Sequence, residues 1–131
     1  MGSNRVEIHT LASPQTCWDA IRDIGALHTR LVPGFVLATE LIPGGRRVTF
    51  ANGVVVTEPI VELDEDSRRL VWTLIGGNTT HYNASVQVFA SESGARVAWI
   101  ADFLPDAAGS AIRGMMTQGA IAMTRALNAA K

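Results

Sequence analysis

Residues 105–130, PDAAGSAIRGMMTQGAIAMTRALNAA, carry the pattern that decides the fold. Ala108, Ile112, Met115, Met116, Gly119, Met123, Ala126 and Leu127 recur at steps of three and four, which places them on one face of a long helix. Arg113, Thr117, Gln118, Thr124 and Arg125 fall on the remaining flank. Pro105 suits a first helical turn, and Asp106 suits the positive end of the helix dipole. Three methionines and a glycine stand on the inward face, where leucines are more usual in a packing helix. Methionine adapts to irregular partners, and Gly119 leaves a notch. The face therefore reads either as a core surface with methionine as filler or as the lid of an apolar cavity.

Working outward, the chain has 131 residues, a length expected of one domain spanning 1–131. Its net charge is −1 and only 18% of its residues are charged, with no basic run and no Lys/Arg strip interleaved with aromatics. Nucleic acid is not an expected partner. The single Cys17 has no intrachain partner, which fits a reducing, cytoplasmic setting. No stretch approaches the length of a membrane span, so membrane insertion is not expected. Met1 to Asn4 reads as a frayed end.

Residues 5–12 alternate, with Val6, Ile8 and Thr10 on one side, and form the first predicted strand. Ser13 and Pro14 open a helical region over 14–32, which Gly25 divides into two short helices. Residues 35–104 then read as six strands joined by turns. Among those turns Asn52-Gly53 is the strongest hairpin signal, a type I′ turn with positive φ at both positions. Strands joined by short turns pair antiparallel. The expected class is α+β, with the helices on one face of a meander.

Period-2 alternation assigns an inward face to each strand. Val48 and Phe50 share a side on the third strand, and Val56, Glu58 and Ile60 on the fourth. Leu70, Trp72 and Leu74 share a side on the fifth; Tyr82, Ala84, Val86 and Val88 on the sixth; Val97, Trp99, Ala101 and Phe103 on the seventh. Large aromatics alternate with Ala84 and Ala101, which leaves room unless the helix fills it. Glu58 is the exception on this face. A carboxylate there has to be paired, neutralised or wetted, and burial raises its pKa. It reads either as a cavity acid or as a strand-end residue paired with an arginine. Pro59 beside it signals a bulge or an edge.

The element order resembles the START-like (SRPBCC, helix-grip) superfamily. The resemblance lies in Val56-Thr57-Glu58, Val61 to Asp66, Val71 to Gly77, His81-Tyr82-Asn83, and Val97 to Phe103 before the long helix. The last segment is similar to the small bacterial polyketide cyclase/dehydrase-like members. Similarity to the birch-pollen-allergen class and the plant abscisic acid receptors is more distant. The resemblance implies a curved seven-stranded antiparallel sheet gripping the helix over 105–130, with an apolar ligand cavity between them. By the same resemblance Glu58 matches a pocket acid, Phe50 a cavity-lining position, and Trp72 and Tyr82 pocket aromatics. Residues 35–42 contain no lysine, so the basic anchor that the plant receptors use is missing from that strand.

The expected site comprises Phe50, Val56, Glu58, Trp72, Leu74, Tyr82, Ala84, Trp99, Ala101, Phe103, Met115, Met116, Gly119 and Met123. His9, His28 and His81 lie on different elements without metal-ligand spacing, so no metal or other cofactor is expected. The leading functional reading is a binding module for a small hydrophobic molecule, lipid-, polyketide- or aromatic-like. The alternative is a cyclase/dehydratase-like enzyme with Glu58 and Tyr82 as acid/base groups. A third is a protein-binding accessory domain. Either a monomer or a homodimer is compatible with the sequence.

Overall fold

Turn chemistry lays the strands side by side in the order in which they are made. The computed structural model describes residues 1–131 and contains one seven-stranded sheet. Its strands are β1 (Gly2–Thr10), β2 (Val36–Ile42), β3 (Gly45–Phe50), β4 (Val55–Asp64), β5 (Arg69–Thr73), β6 (His81–Ser91) and β7 (Gly94–Leu104). The sheet order is β1-β7-β6-β5-β4-β3-β2, and every pairing is antiparallel. The hairpins from β2 to β7 are sequential, and β1 adds to the free side of β7. Helix α1 (Pro14–Arg22) follows β1, and helix α2 (Gly109–Ala130) closes the chain. This is an α+β helix-grip architecture.

The first strand starts earlier than its alternation suggested. Gly2, Ser3 and Asn4 pair with Phe103, Asp102 and Ala101, so the expected fraying at Met1 to Asn4 is replaced by a ladder from Gly2 onward. Polar and small side chains hid this strand end, because backbone pairing needs no apolar side chain. Asn4 is buried: its Nδ2 donates to the Gly109 carbonyl at 3.0 Å, and its Oδ1 accepts from Arg113 Nη2 at 3.1 Å.

Ser13 caps α1, its Oγ accepting from the Thr16 N–H at 3.1 Å, with Pro14 in the first turn. Cys17, Trp18, Ala20 and Ile21 form its buried face. Trp18 Nε1 and Arg22 Nε both donate to Glu65 Oε1, which fastens α1 to the β4–β5 turn. The second expected helix is instead a 3-10 turn (Ile24–Ala26) running into a π-helical turn (Leu27–Leu31). Pro105 precedes a 3-10 turn (Asp106–Ala108), so α2 starts at Gly109. Ile112, Met116, Gly119, Met123 and Leu127 form the buried face of α2, while Ile121 on the other side is exposed.

The β3–β4 hairpin departs from a two-residue type I′ turn. Gly53 has positive φ (87°), but Asn52 does not, and Asn52 Oδ1 accepts instead from the Val54 N–H at 3.0 Å. A two-residue loop would set Ala51 opposite Val54 and, counting back along the ladder, the outward Arg47 opposite the inward Glu58. The observed loop is one residue longer, with Thr49 opposite Val55 and Arg46 opposite Glu58. A slip of one residue exchanges the faces of a strand, so burial of Val48, Val56 and Glu58 selects the longer loop. Pro59 lies opposite Gly45, where any Cβ would collide with the Glu58 carbonyl, and the β4–β5 register shifts between Ile60 and Glu62. The bulge signalled by Pro59 thus falls just beyond it.

Candidate functional site

The β3–β4 register brings an arginine and a glutamate together on the inward face. Arg46 and Glu58 are directly opposite and are only 3% and 5% exposed. Arg46 Nε donates to Glu58 Oε1 at 2.8 Å, and Arg46 Nη1 donates to the Ile24 carbonyl at 3.3 Å. The guanidinium carbon lies 5.6 Å from the Trp72 ring centroid, close enough for a cation–π contact. Both charged groups border a cavity whose remaining walls are almost wholly apolar. Burial pushes the Glu58 carboxyl above the ordinary carboxylate range, and the adjacent Arg46 charge and hydrogen bond only partly offset this. Tyr82 lies in the same wall, and its phenol is raised by burial first and by the nearby Glu58 charge second.

The space between sheet and helix is divided in two. An inner cavity of about 50 Å³ is walled by Arg46, Glu58, Leu70, Trp72 and Trp99 of the sheet, by Ile21, Leu27 and Leu31 of the helical region, and by Met115 and Met123 of α2. On a scale where one water needs about 10–15 Å³, this holds about three to five water-sized groups. An outer cleft of about 610 Å³ opens between the β3–β4 loop, the β5–β6 turn and the first turns of α2. Phe35, Phe50, Leu74, Tyr82 and Met115 border both spaces. The partition is therefore made of side chains. Phe35 and Phe50 meet edge to face within it, their ring centroids 5.4 Å apart.

Of the residues singled out in the sequence, Phe50, Glu58, Trp72, Leu74, Tyr82, Trp99, Met115 and Met123 line the inner cavity, and Val56 lines the outer cleft. Ala84, Ala101, Phe103, Met116 and Gly119 line neither and are packed in the core. Ala84 and Ala101 face each other across β6 and β7, and Met116 of α2 is fully buried. Gly119 is a seat for a ring: a Cβ there would lie 2.8 Å from Trp99 Cζ3 and 3.2 Å from Phe35 Cε2. The Trp99 indole N–H is buried without a hydrogen-bond partner.

Sequence reasoning missed Arg46, Phe35 and the wall from Ile21 to Val36. For Arg46 the signal was present, since it alternates with Val48 and Phe50 on β3. A basic residue absent from 35–42 is thus supplied one strand later, already paired with an acid. No three His, Cys, Asp or Glu side chains gather closely enough to hold a metal ion. Burial pushes the Cys17 thiol up to about 11, so it is a packed apolar residue and a poor nucleophile.

Known proteins share this fold. The protein XoxI from Bacillus cereus superposes with a TM-score of 0.86 at 18% identity, over 97% of this chain and 96% of that one. A Thermobifida fusca protein gives a TM-score of 0.78 at 26% identity, over 98% and 91% of the two chains. The norcoclaurine synthase of Thalictrum flavum gives 0.67 at 20% identity, over 95% and 92%. Ara h 8.0201 gives 0.74 at 18% identity, over 97% of each chain. Curated proteins provide no sequence match. No helix is long and apolar enough to cross a membrane. Residues 1–130 match the family described as polyketide cyclase/dehydrase and lipid transport, and the chain belongs to that family within the START-like (SRPBCC) superfamily.

Proposed function

We propose that this protein binds a small hydrophobic molecule between its sheet and α2. Family and fold support hydrophobic ligand binding in general terms. The observation that carries the reading here is the pair of adjoining, mostly apolar spaces, cleft and inner cavity, separated only by the side chains of Phe35, Phe50, Leu74, Tyr82 and Met115. Ligand sites are concave and mostly apolar with a few convergent polar groups, and the Arg46–Glu58 pair with Tyr82 supplies those groups. A lone Cys17, buried as a free thiol, accords with a cytoplasmic setting.

A second reading is favoured by one feature, the Glu58 carboxyl that burial holds above the ordinary carboxylate range beside an apolar cavity. A cyclase/dehydratase-like reaction would use Glu58 as the proton acceptor and donor, with Tyr82 as a hydrogen-bond donor to a developing oxyanion. The Arg46 pairing weighs against it, because the adjacent guanidinium favours the ionised carboxylate and so lowers its proton affinity. Norcoclaurine synthase is an enzyme on the same fold, so the scaffold itself is compatible with either role.

The test is titration with the neutral fluorescent probe phenylnaphthylamine. Native protein is expected to bind it saturably at one site, and Met115→Trp, which fills the boundary between cleft and cavity, to abolish binding while circular dichroism stays native. Absence of binding by the native protein, or unchanged binding by a folded Met115→Trp, overturns the cavity reading.

A further inference from the structure

The charges around the two spaces are distributed in a way that restricts the ligand. The residues lining the outer cleft include no charged side chain; its polar groups are Asn52, Asn78, Thr79, Gln118 and the Tyr82 phenol. The inner cavity has two charged side chains, Arg46 and Glu58, and they neutralise one another. No free counter-charge therefore awaits an ionic ligand in either space. A carboxylate arriving beside Arg46 would also stand beside Glu58, and an ammonium beside Glu58 would meet Arg46. Either would leave water without a partner of its own, a loss that a neutral polar group does not incur.

The pair nevertheless has unused hydrogen-bonding capacity. Arg46 uses Nε and Nη1, and Glu58 uses Oε1, whereas Arg46 Nη2 and Glu58 Oε2 make no hydrogen bond within the protein. An unused donor and an unused acceptor thus belong to one buried pair in the wall of an otherwise apolar cavity. The small volume of the inner cavity admits a compact head group, and the bulk of a ligand would have to stay in the cleft.

We propose that the ligand is an uncharged amphipathic molecule with a compact head that both accepts and donates hydrogen bonds, such as an amide, lactam or hydroxyl group, seated on the Arg46–Glu58 pair with its apolar body in the outer cleft. This rests on the cavity-binding reading above and adds the chemical class of the ligand.

Three competitors with one apolar body and different heads test it: naphthamide, naphthoate and naphthylmethylammonium, each displacing phenylnaphthylamine from the native protein at neutral pH. Naphthamide is expected to compete at about tenfold lower concentration, or better, than either ion. In Glu58→Gln the Arg46 charge loses its partner, so the order is expected to turn in favour of naphthoate. In the double variant Arg46→Leu/Glu58→Leu the preference for the amide should vanish. Naphthoate equal to or better than naphthamide in the native protein overturns the proposal while leaving cavity binding intact. A folded Glu58→Gln with unchanged head-group order overturns it as well. If the probe itself fails to bind, the cavity reading falls and the proposal with it. Should either variant not fold, the native series decides alone.

Discussion

Two sets of buried polar side chains in this protein are satisfied to different degrees. Along β1, Asn4 spends both ends of its amide on α2, donating to the Gly109 carbonyl and accepting from Arg113. At the other end of the same strand, Asn128 Oδ1 accepts from Thr10 Oγ1 at 2.7 Å and from the Leu11 N–H at 3.0 Å. These two asparagines fasten the first and last turns of α2 to one edge strand. On β3 and β4, Arg46 and Glu58 are as deeply buried as Asn4, yet each keeps an unused polar atom. A satisfied buried group fixes geometry, whereas a half-satisfied one beside a cavity retains the capacity to bind. The contrast separates the edge of the sheet that holds the helix from the strands that border the inner cavity.

The largest expected effect comes from breaking the ion pair on one side only. Arg46→Leu strands a fully buried carboxylate and is expected to lower stability by about 3–5 kcal/mol in urea unfolding. Arg46→Leu/Glu58→Leu should recover most of that loss, because two apolar side chains need no partner in an apolar wall. Additive costs would mean that the pair is held for stability, and the contrast with Asn4 would disappear.

Asn4→Ala is expected to cost less, about 1–3 kcal/mol, since it removes one hydrogen bond to a neutral backbone carbonyl and one from the exposed Arg113. Its diagnostic feature is that phenylnaphthylamine affinity stays at the native level, as a fastening remote from the cavity requires. A matching loss of probe binding would show that the two polar sets act as one network.

The smallest effect lies in the pH dependence of stability. Because burial raises the Glu58 carboxyl in the folded state, the native protein binds more protons than the unfolded chain between the ordinary carboxylate range and the raised value. Stability therefore falls as pH rises through that window. Glu58→Gln removes the titrating group and should flatten this slope in urea melts collected across the window. A slope that survives the substitution belongs to another group and would place Glu58 in a solvated setting.

The amino-acid sequence determined the secondary structure and the inward faces to a large extent. Alternation on β4 to β7 named the buried side correctly, from Val56 and Glu58 through Trp72 and Tyr82 to Trp99 and Phe103, because a half-buried strand must alternate. The 3.6-residue period placed Ile112, Met116, Met123 and Leu127 inward and left Ile121 exposed. The sequence also marked Glu58 as an anomaly, since a carboxylate on an apolar face demands an explanation.

Tertiary structure alone decided what that explanation is. Whether Arg46 or Arg47 faces Glu58 depends on one residue in the length of the β3–β4 loop, and the Asn52-Gly53 signal favoured the shorter loop. The pairing of Gly2 to Asn4 with β7 was hidden because a ladder is made of backbone groups common to every residue. The division of the space into a small polar-ended cavity and an open cleft follows from Phe35, Phe50 and Met115, whose positions in the chain are far apart. Gly119 proved to seat Trp99 instead of opening a notch, a matter of side-chain volume across the sheet–helix interface. Periodicity is a local property and can be read along a chain; register and the filling of space are set by contacts between distant residues, and only the assembled fold defines them.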